Sequence, residues 1–97
     1  MRILSRSTLR DFWEEYPDSQ QQLKSWFAEA EEANWKNPNQ VTDRYKSATI
    51  LKGGRAVFNI CGNKYRLVVW VNYEFQRIYI RFVGTHKEYD KINAEEI

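Results

Sequence analysis

Apolar side chains recur along this chain with two different periods, and the change falls near Tyr45. Before it, Leu9, Phe12, Trp13 and Tyr16 stand at i, i+3, i+4 and i+7, which puts all four on one face of a helix. Ser7 is suited to cap that helix at its start, and Pro17 to stop it. Leu23, Trp26, Phe27 and Ala30 repeat the spacing, and Asp18 with Gln21 three residues on has the form of a capping box. The two stretches predict an amphipathic helical hairpin, preceded by a short strand from Arg2 to Ser5. Asn37 followed by Pro38 has the form of a cap with proline at the first helical position, so a short third helix is expected, with Val41 and Tyr45 one turn apart.

After Tyr45 the period becomes two. Strands are expected over Ser47 to Leu51, Arg55 to Ile60, Tyr65 to Tyr73 and Arg77 to Val83, with turns at Gly53-Gly54, Gly62-Asn63 and Glu74-Phe75-Gln76. Side chains in a strand alternate between faces. One parity collects Ala56, Phe58 and Ile60, then Leu67, Val69 and Val71, then Ile78, Ile80 and Phe82, which is a core face. The other collects Arg55, Val57 and Asn59, then Arg66, Val68 and Trp70, then Arg77, Tyr79 and Arg81. Burying four unpaired arginines would cost several kcal/mol each, so this face is expected to stay open. The expected fold is α+β, a two-layer domain with the helical hairpin packed on one face of a twisted, mainly antiparallel sheet.

A chain of 97 residues is expected to form one domain over positions 1–97. No apolar run reaches the ~20 residues of a membrane span, and the opening MRILSRSTLRDFW lacks a signal-peptide apolar region, so no membrane partner and a cytoplasmic location are expected. Cys61 is the only cysteine and His86 the only histidine, which leaves no disulfide and no Cys/His metal set; metal-free chemistry without a cofactor is expected. There is no phosphate-loop, dinucleotide or H-E-x-x-H motif. The net charge of +2 is unevenly spread: five bases against seven acids up to Lys36, then ten bases against six acids.

The composition is 15% aromatic, and the second half sets its rings among its cations. Arg55, Arg66, Arg77 and Arg81 with Trp70 and Tyr79 offer phosphate contacts beside rings on which bases stack. The same face also reads as a solvated surface whose arginines pair with acidic residues elsewhere. Just past the last strand, His86 and Tyr89 follow Arg81. A histidine there is either a general acid or base for a reaction near neutral pH or an ordinary surface histidine. RNA brings its own nucleophile, the 2′-hydroxyl, so cleavage needs only a proton acceptor, a proton donor and cations about the phosphorane-like transition state. His86, Tyr89, Lys64, Arg66 and Arg81 supply these. Cys61, at a turn, would be a nucleophile only within reach of His86.

Three segments carry a resemblance to a known family: SRSTLRDFWEEYPD (Ser5 to Asp18), VFNICGNKYRLVVWVNY (Val57 to Tyr73) and IYIRFVGTHKEYDKI (Ile78 to Ile92). Over nearly its whole length the chain resembles the HigB toxins of the RelE superfamily. The resemblance implies a RelE-like fold, cleavage of messenger RNA on the ribosome, and inhibition by a HigA-type antitoxin. Position by position, the family's basic and carboxyl-terminal motif residues correspond to Lys64, Arg66, Arg81, His86 and Tyr89, with Arg55, Asn59 and Lys91 as further RNA contacts. The chain departs from the family pattern at Cys61, where glycine is usual, and at Trp70, where a smaller aliphatic residue is common. The alternative reading is a non-catalytic RNA- or ribosome-binding module that uses the same face.

Overall fold

The computed structural model describes residues 1–97 and has the expected α+β architecture. Strand β1 (Arg2–Leu4) leads into helices α1 (Arg6–Glu15) and α2 (Gln20–Glu32), joined by a 3₁₀ turn over Pro17–Ser19. Helix α3 (Pro38–Arg44) precedes β2 (Thr49–Ile50), β3 (Arg55–Ile60), β4 (Tyr65–Asn72), β5 (Arg77–Thr85) and a single-turn helix α4 (His86–Tyr89). The five strands lie in the order β1-β5-β4-β3-β2. Only the β1–β5 pair is parallel; the other three pairs are antiparallel.

Leu9 and Phe12 of α1 and Leu23, Trp26 and Ala30 of α2 meet Ala56, Phe58, Ile60, Leu67, Val69, Val71, Ile78 and Ile80 of the sheet in one buried cluster. The helical and strand periods read from the sequence thus converge on one core. Asn37 caps α3 as expected, its Oδ1 accepting from the Gln40 amide at 3.1 Å. The other two caps differ. Helix α1 starts two residues earlier than a Ser7 cap implies, at Arg6, with Ser5 before it at φ 68° and no side-chain cap. Asp18 does not cap α2, because its carboxylate accepts from Tyr65 and Lys64 across the molecule.

Two further expectations are corrected at the sheet. The register slips between Val68 and Val69: Val69 pairs with Ile80 but Val68 with Phe82, leaving Arg81 as the extra residue of a β-bulge. The bulge reverses the parity beyond it, so Phe82 leaves the helical side and packs with Val57 and Val68, while Val83 turns toward the main core. The second face is also not fully open. Val57, Val68 and Ala94 form a small buried cluster there, flanked by Leu51, Phe82, Tyr89 and Ile97 of the returning carboxyl-terminal segment. The two valines of that parity are the reason: their apolar area draws the segment over them.

No helix is long and apolar enough to cross a membrane. Leu23 is fully buried between α2 and the sheet, so Leu23→Ala should lower unfolding free energy by about 2–5 kcal/mol in urea titrations. Phe75, 63% exposed at the β4–β5 hairpin tip, should tolerate serine within about 0.5 kcal/mol.

Candidate active site

The β3–β4 turn is held from outside the sheet. Cys61 and Gly62 take positive φ of 55° and 67°, which turns the chain sharply. The Cys61 amide donates to Gln22 Oε1 at 2.6 Å, and its thiol lies 3.4 Å from the Asp18 carbonyl oxygen. Beyond the turn, Lys64 Nζ and the Tyr65 hydroxyl both donate to the Asp18 carboxylate, the latter at 2.7 Å. The hydrogen bond from Lys64, then that from Tyr65, hold Asp18 below the ordinary carboxylate value, and the same bond to Asp18 raises Lys64 above the ordinary lysine value. Burial pushes the Tyr65 phenol up, and the hydrogen bond to Asp18 adds to this. Burial, then the Asp18 charge, raises the Cys61 thiol, which keeps it protonated near neutral pH and unsuited to act as a nucleophile.

The end of β5 meets this turn. Thr85 caps α4 in a capping box, with the Glu88 amide donating to Thr85 Oγ1 at 3.2 Å and the Thr85 amide to Glu88 Oε1 at 2.8 Å. Its first residue, His86, donates its amide to the Lys64 carbonyl oxygen at 3.1 Å. Tyr16, Lys64, Tyr65, Thr85, His86 and Lys87 together line an open groove. The His86 imidazole is half exposed, and its Nε2 stands 3.5 Å from Asp90 Oδ2 one turn on.

The arginines occupy the other side of this edge. Arg66 is 9% exposed and has no carboxylate partner; its Nη1 donates to the Tyr65 carbonyl oxygen at 3.2 Å, its Nη2 lies 3.5 Å from Asn63 Oδ1, and its guanidinium is 6.0 Å from the Tyr89 ring centre. Trp70 and Tyr79 stack on each other at 4.8 Å, with the Arg81 guanidinium within 6 Å of both rings. Arg55 is taken up by the returning segment: its Nε and Nη2 donate to the Ile97 backbone oxygen at 3.0 and 2.6 Å. Asn59, opposite Arg66 in register, lines a hollow at the sheet edge with Gln22, Ser47, Gly62 and Asn63. Arg77 and Lys91 are exposed at the start of β5 and beyond α4.

Seven of the sequence-derived residues therefore fall into three groups: Lys64 with His86 in the groove, Arg66 with Tyr89 on the second face, and Arg81 with Trp70 and Tyr79 further along it; Arg55, Asn59, Arg77 and Lys91 stand outside them. Arg81 does not line the groove. Tyr16, Asp18, Tyr65, Thr85 and Lys87 were missed by sequence reasoning. Tyr65 carried the one available signal, a phenol at a position whose parity demands the core. No three histidine, cysteine, aspartate or glutamate side chains gather in a cluster able to hold a metal ion.

The molecule is a small α+β domain that sets a lysine–histidine groove beside an arginine- and aromatic-bearing sheet face. A family model described as the RelE-like toxic component of a toxin–antitoxin system matches residues 19–92. The mRNA interferase toxin HigB of Escherichia coli K12 is 33% identical over 96 residues, covering 97% of this chain and 92% of the relative; HigB of Shigella flexneri matches equally. HigB of Escherichia coli O6:H1 is 22% identical over 94 residues, covering 95% of this chain and 91% of the relative. The chain belongs to the HigB toxin family.

The carboxylate pairing has a pH signature. Because Asp18 is held below its ordinary value of 3.8, the stability it contributes is present above that value and is lost as pH falls through the lower folded value. Asp18→Asn should flatten the acid limb of the stability curve below about pH 4, measured by urea unfolding across pH, and leave its slope near neutrality unchanged.

Proposed function

We propose that this protein is the toxin of a toxin–antitoxin pair, a metal-independent endoribonuclease that cuts messenger RNA on the translating ribosome in the cytoplasm. The observation that carries the reading is the side-by-side placement of Lys64 and His86 in one open groove, with Arg66 and Tyr89 on the adjoining face. Membership of the HigB family and the mRNA interferase names of its relatives support it. The RelE-like form of the fold and a HigA-type antitoxin as inhibitor belong to the same reading.

In this mechanism the substrate 2′-hydroxyl attacks the adjacent phosphorus and loses its proton, the bond from phosphorus to the 5′-oxygen breaks, and that oxygen takes a proton as it leaves. The products are a 2′,3′-cyclic phosphate and a 5′-hydroxyl. His86 exchanges the proton at the reacting oxygens, an imidazole being a side chain that can both accept and donate one. Lys64 and Arg66 supply fixed positive charge where the phosphorane gains negative charge. Tyr89 extends the site beside Arg66, and Arg81 contacts the phosphate backbone. Trp70 and Tyr79 support the RNA strand, while Arg77, Lys91, Asn59 and Arg55 lie at its periphery.

The test is end-mapping of translated messenger RNA. Wild-type protein should leave 5′-hydroxyl and cyclic-phosphate ends in the presence of a chelator. His86→Ala should reduce cleavage about 10²–10⁴-fold, and Arg66→Ala about 10²–10³-fold, with the fold intact by circular dichroism. Cleavage at the wild-type rate by both variants would remove this site. Saturable ribosome binding without cut ends would replace the enzyme with a binding module, a role for which the Trp70–Tyr79–Arg81 stack, standing apart from the groove, is suited.

A further inference from the structure

We propose that Asp18 is a positioning residue for this cleavage, fixing the Lys64 ammonium in the groove that Lys64 shares with His86. The inference rests on the proposed nuclease reading and adds a residue from the helical layer to it.

Asp18 belongs to the 3₁₀ turn between α1 and α2, 46 residues before Lys64, and is brought to the groove only by the packing of the hairpin on the sheet. Its two oxygens receive two different donors. Oδ1 accepts from the Tyr65 hydroxyl at 2.7 Å, and Oδ2 accepts from Lys64 Nζ. Tyr65 is buried and edge-on to Phe12 at 5.1 Å, while Tyr16 stacks on Phe12 at 4.7 Å and closes the trio. The phenol is thus a fixed anchor, and a carboxylate held by it presents its other oxygen at a defined place.

What it holds there is the most flexible kind of cation, an ammonium on a four-carbon stem. Left free, Lys64 would lose rotamer freedom each time it met a phosphate; held by Asp18, it has lost much of that freedom before substrate arrives. The ammonium has three donors and Asp18 takes one, so the others remain for phosphate oxygens. The same turn carries the carbonyl that receives the His86 amide, so the anchoring of Lys64 and the start of α4 share one backbone unit. As an exposed ion pair, the Asp18–Lys64 contact by itself adds little to stability; the bond from Tyr65 is the one that ties Asp18 to the fold.

The experiment is single-turnover cleavage by Asp18→Asn in the wild-type and Lys64→Met backgrounds. Asp18→Asn should lower the maximal rate by roughly tenfold to a hundredfold with little change in half-saturation, and should cost nothing further once Lys64 is gone. Tyr65→Phe, which removes only the anchor, should give a smaller loss of the same kind. An equal loss in both backgrounds would mark a merely structural role and overturn the proposal, as would an unimpaired Asp18→Asn or Lys64→Met enzyme, even where His86→Ala abolishes cutting.

The free protein gives a second readout that needs no activity. The Lys64 side-chain NMR resonance should titrate above 10.5 in wild type and fall back toward that value in Asp18→Asn. An unmoved titration overturns the pairing itself. Absence of cleavage by the wild-type protein, with this titration intact, would sink the nuclease reading and leave Lys64 positioned for binding alone.

Discussion

Strand β4 is covered on both of its faces, and this double burial sets the arrangement around it. Tyr65, Leu67, Val69 and Val71 enter the core under the helical hairpin, while Arg66 and Val68 enter the other side, where the carboxyl-terminal segment closes over Val57 and Val68. A strand buried on both faces reads as a nearly continuous apolar run, and residues 65–71 are such a run with one charge in it. Since β3 and β5 flank β4 on either side, both meet the helical core, and both reach the second cluster, β3 with Val57 of the opposite parity and β5 with Phe82 by way of the bulge. The helices, the bulge and the returning tail are three responses to the same need to keep water from this strand.

The one charge in that run has the most consequence. Moving a guanidinium out of water without a carboxylate costs several kcal/mol, and Arg66 meets only a carbonyl oxygen, an amide oxygen and the Tyr89 ring. A carboxylate partner would have offset more of that cost, but it would also have cancelled the charge. What the fold keeps is an uncompensated cation fixed by a rigid strand, next to the turn that presents Lys64. In a partly dried site such a charge acts on an arriving phosphate more strongly than the exposed Arg77 or Lys91 can.

The helical spacing over positions 9–30 and the alternation over 56–80 were enough to find both layers and their contact, because burial of one face imposes a strict period on each. That logic failed where the chain broke the period. Nothing in Ile80-Arg81-Phe82 announces a bulge, so Phe82 reads as core when it belongs to the second cluster. Asp18 reads as a helix cap because local signals favour it, yet a lysine 46 residues away and a buried phenol 47 residues away claim its oxygens. The tail from Asp90 to Ile97 has no periodicity at all, and its docking is legible only in hindsight from Val57 and Val68. For the site, parity placed the arginines together, and the chemical needs of RNA cleavage singled out Lys64, His86 and Tyr89, which the resemblance also marks; their division into a groove and a face needed the fold.

The bulge also explains how these groups come to be neighbours. In a regular strand Arg81 and Phe82 would face opposite sides; with the extra residue at Arg81, both stand on the second face. Arg81 can then lie over Trp70 and Tyr79 while Phe82 packs beside Tyr89 at 6.5 Å. Gly84, opposite Arg66, accommodates that ring: a methyl group on it would come within 2.5 Å of Phe82 and 3.0 Å of the Glu88 carboxylate that closes the α4 cap. One inserted residue thus links the arginine stack, the cover over Val68 and the cap that presents His86. The position of the histidine depends on backbone geometry several residues upstream of it.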